Sequence, residues 1–436
     1  MYDWSVSELN KWDNKICKIA SSYGLDWFEI DYEICDYYDM IGNMSYTGMP
    51  THYHHWSFGK QFERTRFYYD MGLEGLPYEM IINSNPSIAY LMRENSLPMH
   101  ILTMAHCVGH SDFFKNNKTF RHTDPENIIS RFRSAAERIR KYVEDTTIGI
   151  EEVENILDAC HSLKYQRDRV SGVKRLTHEE IVNKKIRKIN LKEKGYEYIV
   201  LDKFPSEPDY NILQFIRDNS RNLSEWQKDI ISIVDNETEY FIPQAQTKIM
   251  NEGWASFWHY KILHDLDLPQ EFHFSFIKTH NQVIRPHLGG INPYHVGFKI
   301  FAKIEEEEGL ESCFFAREVH NDTSFLMEHL DEKLCKDLNL FSFSKKKEYY
   351  SIDEISDDDG WQVIKRDFIN SVGLNAVPKV YVESVDRHDC LMTVRHEFDG
   401  RELNLEYADK VCHKISDLWG DEVRFFTIIE DEDWEI

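Results

Sequence analysis

His106 and His110 lie four residues apart in the stretch Met99–Asn117, MHILTMAHCVGHSDFFKNN. On a helix that spacing puts both imidazoles on one face a single turn apart, where two ring nitrogens can hold one cation. A second stretch, Lys248–His259 (KIMNEGWASFWH), places Glu252 and His259 seven apart, again on one face. Two neutral nitrogens and a carboxylate suit zinc or iron, and three protein ligands leave a coordination position open for chemistry. The expected metal ligands are therefore His106, His110 and Glu252. His259, Glu239 and one of His52, His54 or His55 are left as fourth ligand, general base or support for the imidazoles.

These groups converge only if both stretches are helices packed on each other. The chain has 436 residues, 42% apolar and 14% aromatic, enough for a large core and more than one domain. Apolar spacing predicts helices over 4–24, 26–40, 86–95 (with Pro86 in the first turn), the His106 segment, 124–144 and 150–163. Further helices are predicted over 223–241 and 243–266, broken by Pro243, and over 295–308 and 324–336. Tyr78–Asn83 reads as a short strand, and after residue 339 short alternating runs predict strands with two helices between them. The fold class expected is mainly α: a large helical domain with zincin-like metal-site helices, plus a small C-terminal α+β domain. Residues 1–163 and 204–338 form the two parts of the core domain, 164–203 a charged insertion or linker, and 339–436 the small domain.

The net charge of −25 argues against partners that reward basic patches, nucleic acid and anionic membranes among them. No apolar run reaches the length of a spanning helix and no leader-like segment is evident, so a cytoplasmic chain without membrane insertion is expected. Eight scattered cysteines without a CxxC pair fit a reducing compartment.

The order H-x-x-x-H followed far downstream by E-G-W-A resembles the gluzincin metallopeptidases, in which a glutamate on a second helix completes a two-histidine site. Those enzymes carry a water-activating glutamate directly after the first histidine. This chain has Cys107 there.

Longer motifs carry a second resemblance. Tyr53–Glu63 (YHHWSFGKQFE), Tyr78–Asn83 with Asn85-Pro86 and Ala89-Tyr-Leu, the His106/His110 segment with FFKNN, Tyr240–Lys248 (YFIPQAQTK), Ile249–His259 and Leu418-Trp-Gly420 together resemble the stage V sporulation protein R (SpoVR-like) family over most of the chain. The resemblance implies a role in forming spore cortex peptidoglycan or, beyond spore formers, in a general stress response. It also implies partnership with a PrkA-type serine kinase and a von Willebrand-type protein. The family's recurrent polar residues fall on His54, His55, Lys60, His106, His110, Asn116, Asn117, Gln244, Lys248, Asn251, Glu252 and His259.

The expectation drawn from both lines is a metal-dependent hydrolase acting on a peptide or peptidoglycan-precursor bond, with a divalent cofactor, zinc ahead of iron. Catalytic roles fall to Glu239, His259 and Lys60, and substrate binding to His54, His55, Asn116, Asn117, Lys248 and Asn251. The alternatives are a non-catalytic scaffold working with the kinase, and a non-haem iron or two-metal enzyme.

Overall fold

The structure is a computed structural model that describes residues 3–71, 76–170, 176, 179–181, 183–184, 203–286, 291–345, 350–357, 360–386 and 388–436. Most of the 164–203 stretch expected to be an insertion thus lies outside the described residues. The chain clusters into two compact units: 1–136 with 243–376, and 137–242 with 377–436. Among the described residues no helix is long and apolar enough to cross a membrane.

The first unit opens with α1 (Val6–Tyr23), whose cap residue Ser5 accepts the Glu8 N–H and whose stop is Gly24 at φ 88°. There follow β1 (Ile30–Cys35), α2 (Tyr37–Ser45), α3 (Trp56–Asp70), β2 (Glu79–Ile82), β3 (Ser87–Met92), α4 (Leu97–Asn116) and the start of α5 (Ile128–Glu144). The two helices expected over 26–40 and 86–95 are corrected here, because both stretches hold strands. β1 and β3 pair in parallel, Ile30 opposite Ser87 and Cys35 opposite Met92, and β2 joins β3 antiparallel. β3 is central and five of its six residues are buried, so its SIAYLM sequence lacks the alternation that identifies a strand with one wet face.

In the second unit lie α6 (Ile150–Leu163), α7 (Ile212–Asn219) and much of α8 (Glu225–Gln246). The break expected at Pro243 falls instead at Thr247: α8 runs through the proline to Gln246, and the Thr247 hydroxyl donates to the Pro243 carbonyl oxygen at 2.7 Å.

The chain returns to the first unit with α9 (Lys248–Asp265), α10 (Gln270–Val283), α11 (Pro293–Glu308), α12 (Leu310–Val319), α13 (Asp322–His329), α14 (Glu332–Asp337), the hairpin β4 (Phe341–Lys345) and β5 (Tyr350–Ile355), and α15 (Trp361–Ser371). The α+β character expected after 339 is present. A four-stranded sheet in the order β6 (Val380–Val385), β7 (Met392–His396), β8 (Val423–Ile429), β9 (Glu432–Glu435), with α16 (Leu405–Trp419) packed on α6 and β8, belongs to the second unit.

α4 is the centre of the first unit. From His100 to Phe114 every residue is buried, so this helix has no polar face and is wrapped by α1, α9, α10 and the β1–β3 sheet. α9 lies against it as closely as helices can. A Cβ on Gly109 would stand 2.7 Å from the Ala255 Cα, and one on Gly253 would strike the backbone of Gly297 in α11. Glycine is required where backbones meet in this way.

Candidate functional site

The contact of α4 with α9 at Gly109 and Ala255 sets the positions of the flanking histidines and glutamate. His106 and His110 descend from α4, Glu252 and His259 from α9, and all four are buried. His106 Nε2 lies 3.5 Å and His110 Nε2 3.3 Å from Glu252 Oε2. Glu79, the first residue of β2, brings Oε1 to 3.8 Å from His106 Nε2. Ligands bound at 2.0–2.2 Å in a tetrahedron are separated by about 3.3–3.6 Å, so these donors stand at or near coordination spacing. Donor atoms of Glu79, His106 and His110 all lie within 4.8 Å of one another.

The ring nitrogens turned away from this point each meet a hydrogen-bond partner. His110 Nδ1 is 2.7 Å from Asn251 Oδ1; an amide oxygen only accepts, so Nδ1 carries the proton and Nε2 presents a lone pair. His106 Nδ1 is 3.0 Å from His259 Nδ1, and His259 Nε2 is 2.8 Å from His280 Nδ1. The protons along these three rings run together in one of two senses. If His106 keeps Nε2 bare, its Nδ1–H donates to His259, whose Nε2–H donates to His280. Burial pushes His259 well below the usual imidazole range, helped by its neighbours His106 and His280, and burial brings His280 down to about 4, so these two members stay neutral. His106 Nε2 and Glu252 Oε2 are buried without a hydrogen-bond partner among the described residues. Two lone pairs facing a carboxylate oxygen repel unless a proton or a cation lies between them.

Burial alone would raise the Glu252 carboxyl, but Lys248 and His110 outweigh it and hold the group well below the usual carboxylate range. Lys248 reaches Glu252 Oε1 with its ammonium, leaving Oε2 turned to the imidazoles. Burial draws the His110 imidazole down, yet the facing Glu252 raises it overall, so a proton competes for this position when no cation is present. Burial raises Glu79 despite the two imidazoles beside it. Tyr294 stacks on His106 with centroids 6.0 Å apart, and burial raises its phenol, which hydrogen-bonds Glu252 and stays protonated. The α9 N-terminus is aimed by Asp322, whose carboxylate oxygens accept the Ile249 and Met250 N–H groups at 2.9 Å each.

Of the residues singled out from sequence, the structure thus brings together His106, His110, Glu252, His259, Lys248 and Asn251. The others are engaged elsewhere. Lys60 is exposed on α3 over the Trp56 ring. His54 meets the Tyr46 hydroxyl at 2.9 Å and lines a cavity of about 520 Å³ with Glu33, Asp39 and Tyr90. His55 caps α3 by accepting the Ser57 N–H. Asn116 donates to the carbonyl oxygens of Asp26 and Asp112, and Asn117 to those of Arg317 and His320. Glu239 lies in the second unit, 3.6 Å from Arg167. Cys107 points into the apolar core, where burial pushes its thiol well above the ordinary range; it is no substitute for a basic glutamate.

Sequence reasoning missed Glu79, His280 and Tyr294. Glu79 sits inside the Tyr78–Asn83 motif, and that membership was the one available signal. His280 and Tyr294 stand singly on α10 and α11, with no spacing to mark them.

A family model for SpoVR like protein matches residues 3–377. The chain is 34% identical over 472 aligned positions to Uncharacterized protein YcgB of Escherichia coli (strain K12), covering 97% of this chain and 92% of that protein. No solved structure matches. Both matches run through the helices and the β2 strand that build the His–Glu cluster, and on their extent the chain belongs to the SpoVR-like protein family.

Proposed function

We propose that this protein is a metal-dependent hydrolase whose centre is held by His106, His110 and Glu252, with Glu79 beside it as the proton-handling carboxylate. One observation carries the reading: His106 Nε2 and His110 Nε2 converge on the buried Glu252 Oε2 at 3.5 and 3.3 Å, an arrangement that a shared cation satisfies. When bound, a divalent cation supplies Lewis-acid polarisation of a scissile carbonyl and acidifies water near it.

The remaining work belongs to the chain. Burial raises the Glu79 carboxyl above the usual carboxylate range, which suits a group that takes a proton from attacking water and returns it to the leaving amine. That assignment replaces the general base that Cys107 cannot supply. Tyr294, protonated and stacked on His106, donates its one proton to Glu252 and steadies that carboxylate beside the imidazoles. His259 and His280 touch no reacting atom; they orient His106 through its Nδ1–H. A peptide or peptidoglycan-precursor substrate agrees with the spore-cortex role that the resemblance to the family implies.

Metal analysis of the purified full chain tests the reading. About one equivalent is expected in the wild type at this centre, lost in H106A and in E252A. E79Q keeps the metal and loses roughly 10²–10⁴-fold in hydrolysis. A chain without stoichiometric metal, or metal indifferent to both ligand changes, overturns it and leaves the scaffold reading, which co-purification with a PrkA-type kinase addresses. The second carboxylate favours one other version: two imidazoles and two carboxylates also suit non-haem iron, and the element found decides between them.

A further inference from the structure

A separate group of metal-ligating side chains lies where α12 and α13 end. His320, Glu328 and His329 each offer a donor atom, and the three atoms lie within 4.8 Å of one another. His320 Nε2 is 3.4 Å from Glu328 Oε2. The His320 tautomer follows from its other nitrogen, which lies 3.1 Å from Ser324 Oγ. That hydroxyl has one proton, directed to Asn321 at the start of α13, so Oγ accepts from His320 Nδ1–H and Nε2 is left bare. His329 Nε2 is buried and has no hydrogen-bond partner among the described residues. The two rings are perpendicular with centroids 5.4 Å apart, the attitude of two imidazoles addressing one point. Lys303, the nearest cation on α11, is committed to Asp331 at 2.6 Å.

The geometry points to a second, solvent-open site for a divalent ion of the zinc class, held by His320 Nε2, His329 Nε2 and a Glu328 carboxylate oxygen, with water completing the shell. The His320–Glu328 separation of 3.4 Å already matches the roughly 3.3–3.6 Å edge of a tetrahedral zinc site, and the remaining separations are bounded by 4.8 Å. The Glu328 side chain is 61% exposed and free to swing inward, so adjusting its distances needs no backbone movement. Burial keeps both imidazoles below their usual range and therefore neutral at pH 7, as ligands have to be. Three ligands with an exposed carboxylate make a site that exchanges with solvent, unlike the enclosed cluster on α4 and α9. The two share no residue, so this inference does not rest on the hydrolase reading.

The test is calorimetric titration of the metal-stripped full chain with Zn²⁺, alongside Co²⁺ absorption. The H106A/E252A chain, disabled at the central cluster, should still bind one equivalent. Adding H329A or E328Q to it should weaken that binding at least about tenfold while the circular dichroism is unchanged; E328Q, at an exposed position, guards against a misfolded H329A. In the otherwise unaltered chain E328Q should remove only the more readily chelated equivalent. Binding by the H106A/E252A chain that neither change weakens, or no binding by that chain when folded, overturns the assignment.

Discussion

Asn251 takes part in no chemistry, yet it decides how His110 meets a cation. Its side-chain oxygen accepts the Nδ1 proton at 2.7 Å and so commits Nε2 to the centre. Asn251→Ala should lower metal affinity about 10–100-fold while moving the melting temperature little; chelator competition with the two chains gives the number. His106, His110, Glu252 and His259 were legible in the sequence because helical periodicity converts spacing into a shared face. Glu79 was not, because a four-residue strand has no periodicity long enough to say what it faces, and its neighbours in space come from helices 27 or more residues away. Glu239 misled for the opposite reason. Its closeness in sequence to α9 suggested a role, but its carboxylate faces Arg167 in the other unit.

At the scale of elements, the α4–α9 contact is the feature on which the cluster depends. Gly109→Ala should cost about 1–3 kcal/mol by overpacking and, because α4 must retreat from Ala255, should cost metal binding as well; urea unfolding and metal content measure the two effects. Asp322 makes α9 sensitive to pH. Burial raises its carboxyl from 3.8 to about 7 against the pull of the two backbone N–H groups it accepts. The folded chain therefore binds more protons than the unfolded one between those values. The stability this group contributes is fully present below about pH 4 and is lost as pH rises through about 7. Asp322→Asn should shrink the difference in urea midpoint between about pH 5 and about pH 8. Helices were read well where one face was wet, as in α1, α5 and α6. In β3 a short, almost wholly buried apolar run has no signature distinguishing it from a buried helix turn, whereas β1 alternates Ile30, Tyr32 and Ile34 with exposed Asp31 and Glu33, a period of two that the reading of 26–40 as one helix overlooks.

For the whole molecule, the net charge of −25 means that the folded chain repels itself. The melting temperature should rise by a few degrees between low salt and about 0.3 M NaCl, a shift that differential scanning calorimetry resolves. The sequence showed the helical bulk and the α+β tail, but not that 137–242 would cluster with 377–436, since partners so far apart along the chain share no local pattern. The backbone contacts of Gly109 with Ala255 and of Gly253 with Gly297 have one more consequence. With no side chain acting as a spacer, the distance between the ligand helices is not a quantity that mutation can adjust by small steps. Descendants of this chain can exchange donor atoms or redecorate the rim, but the gauge of the site is inherited whole.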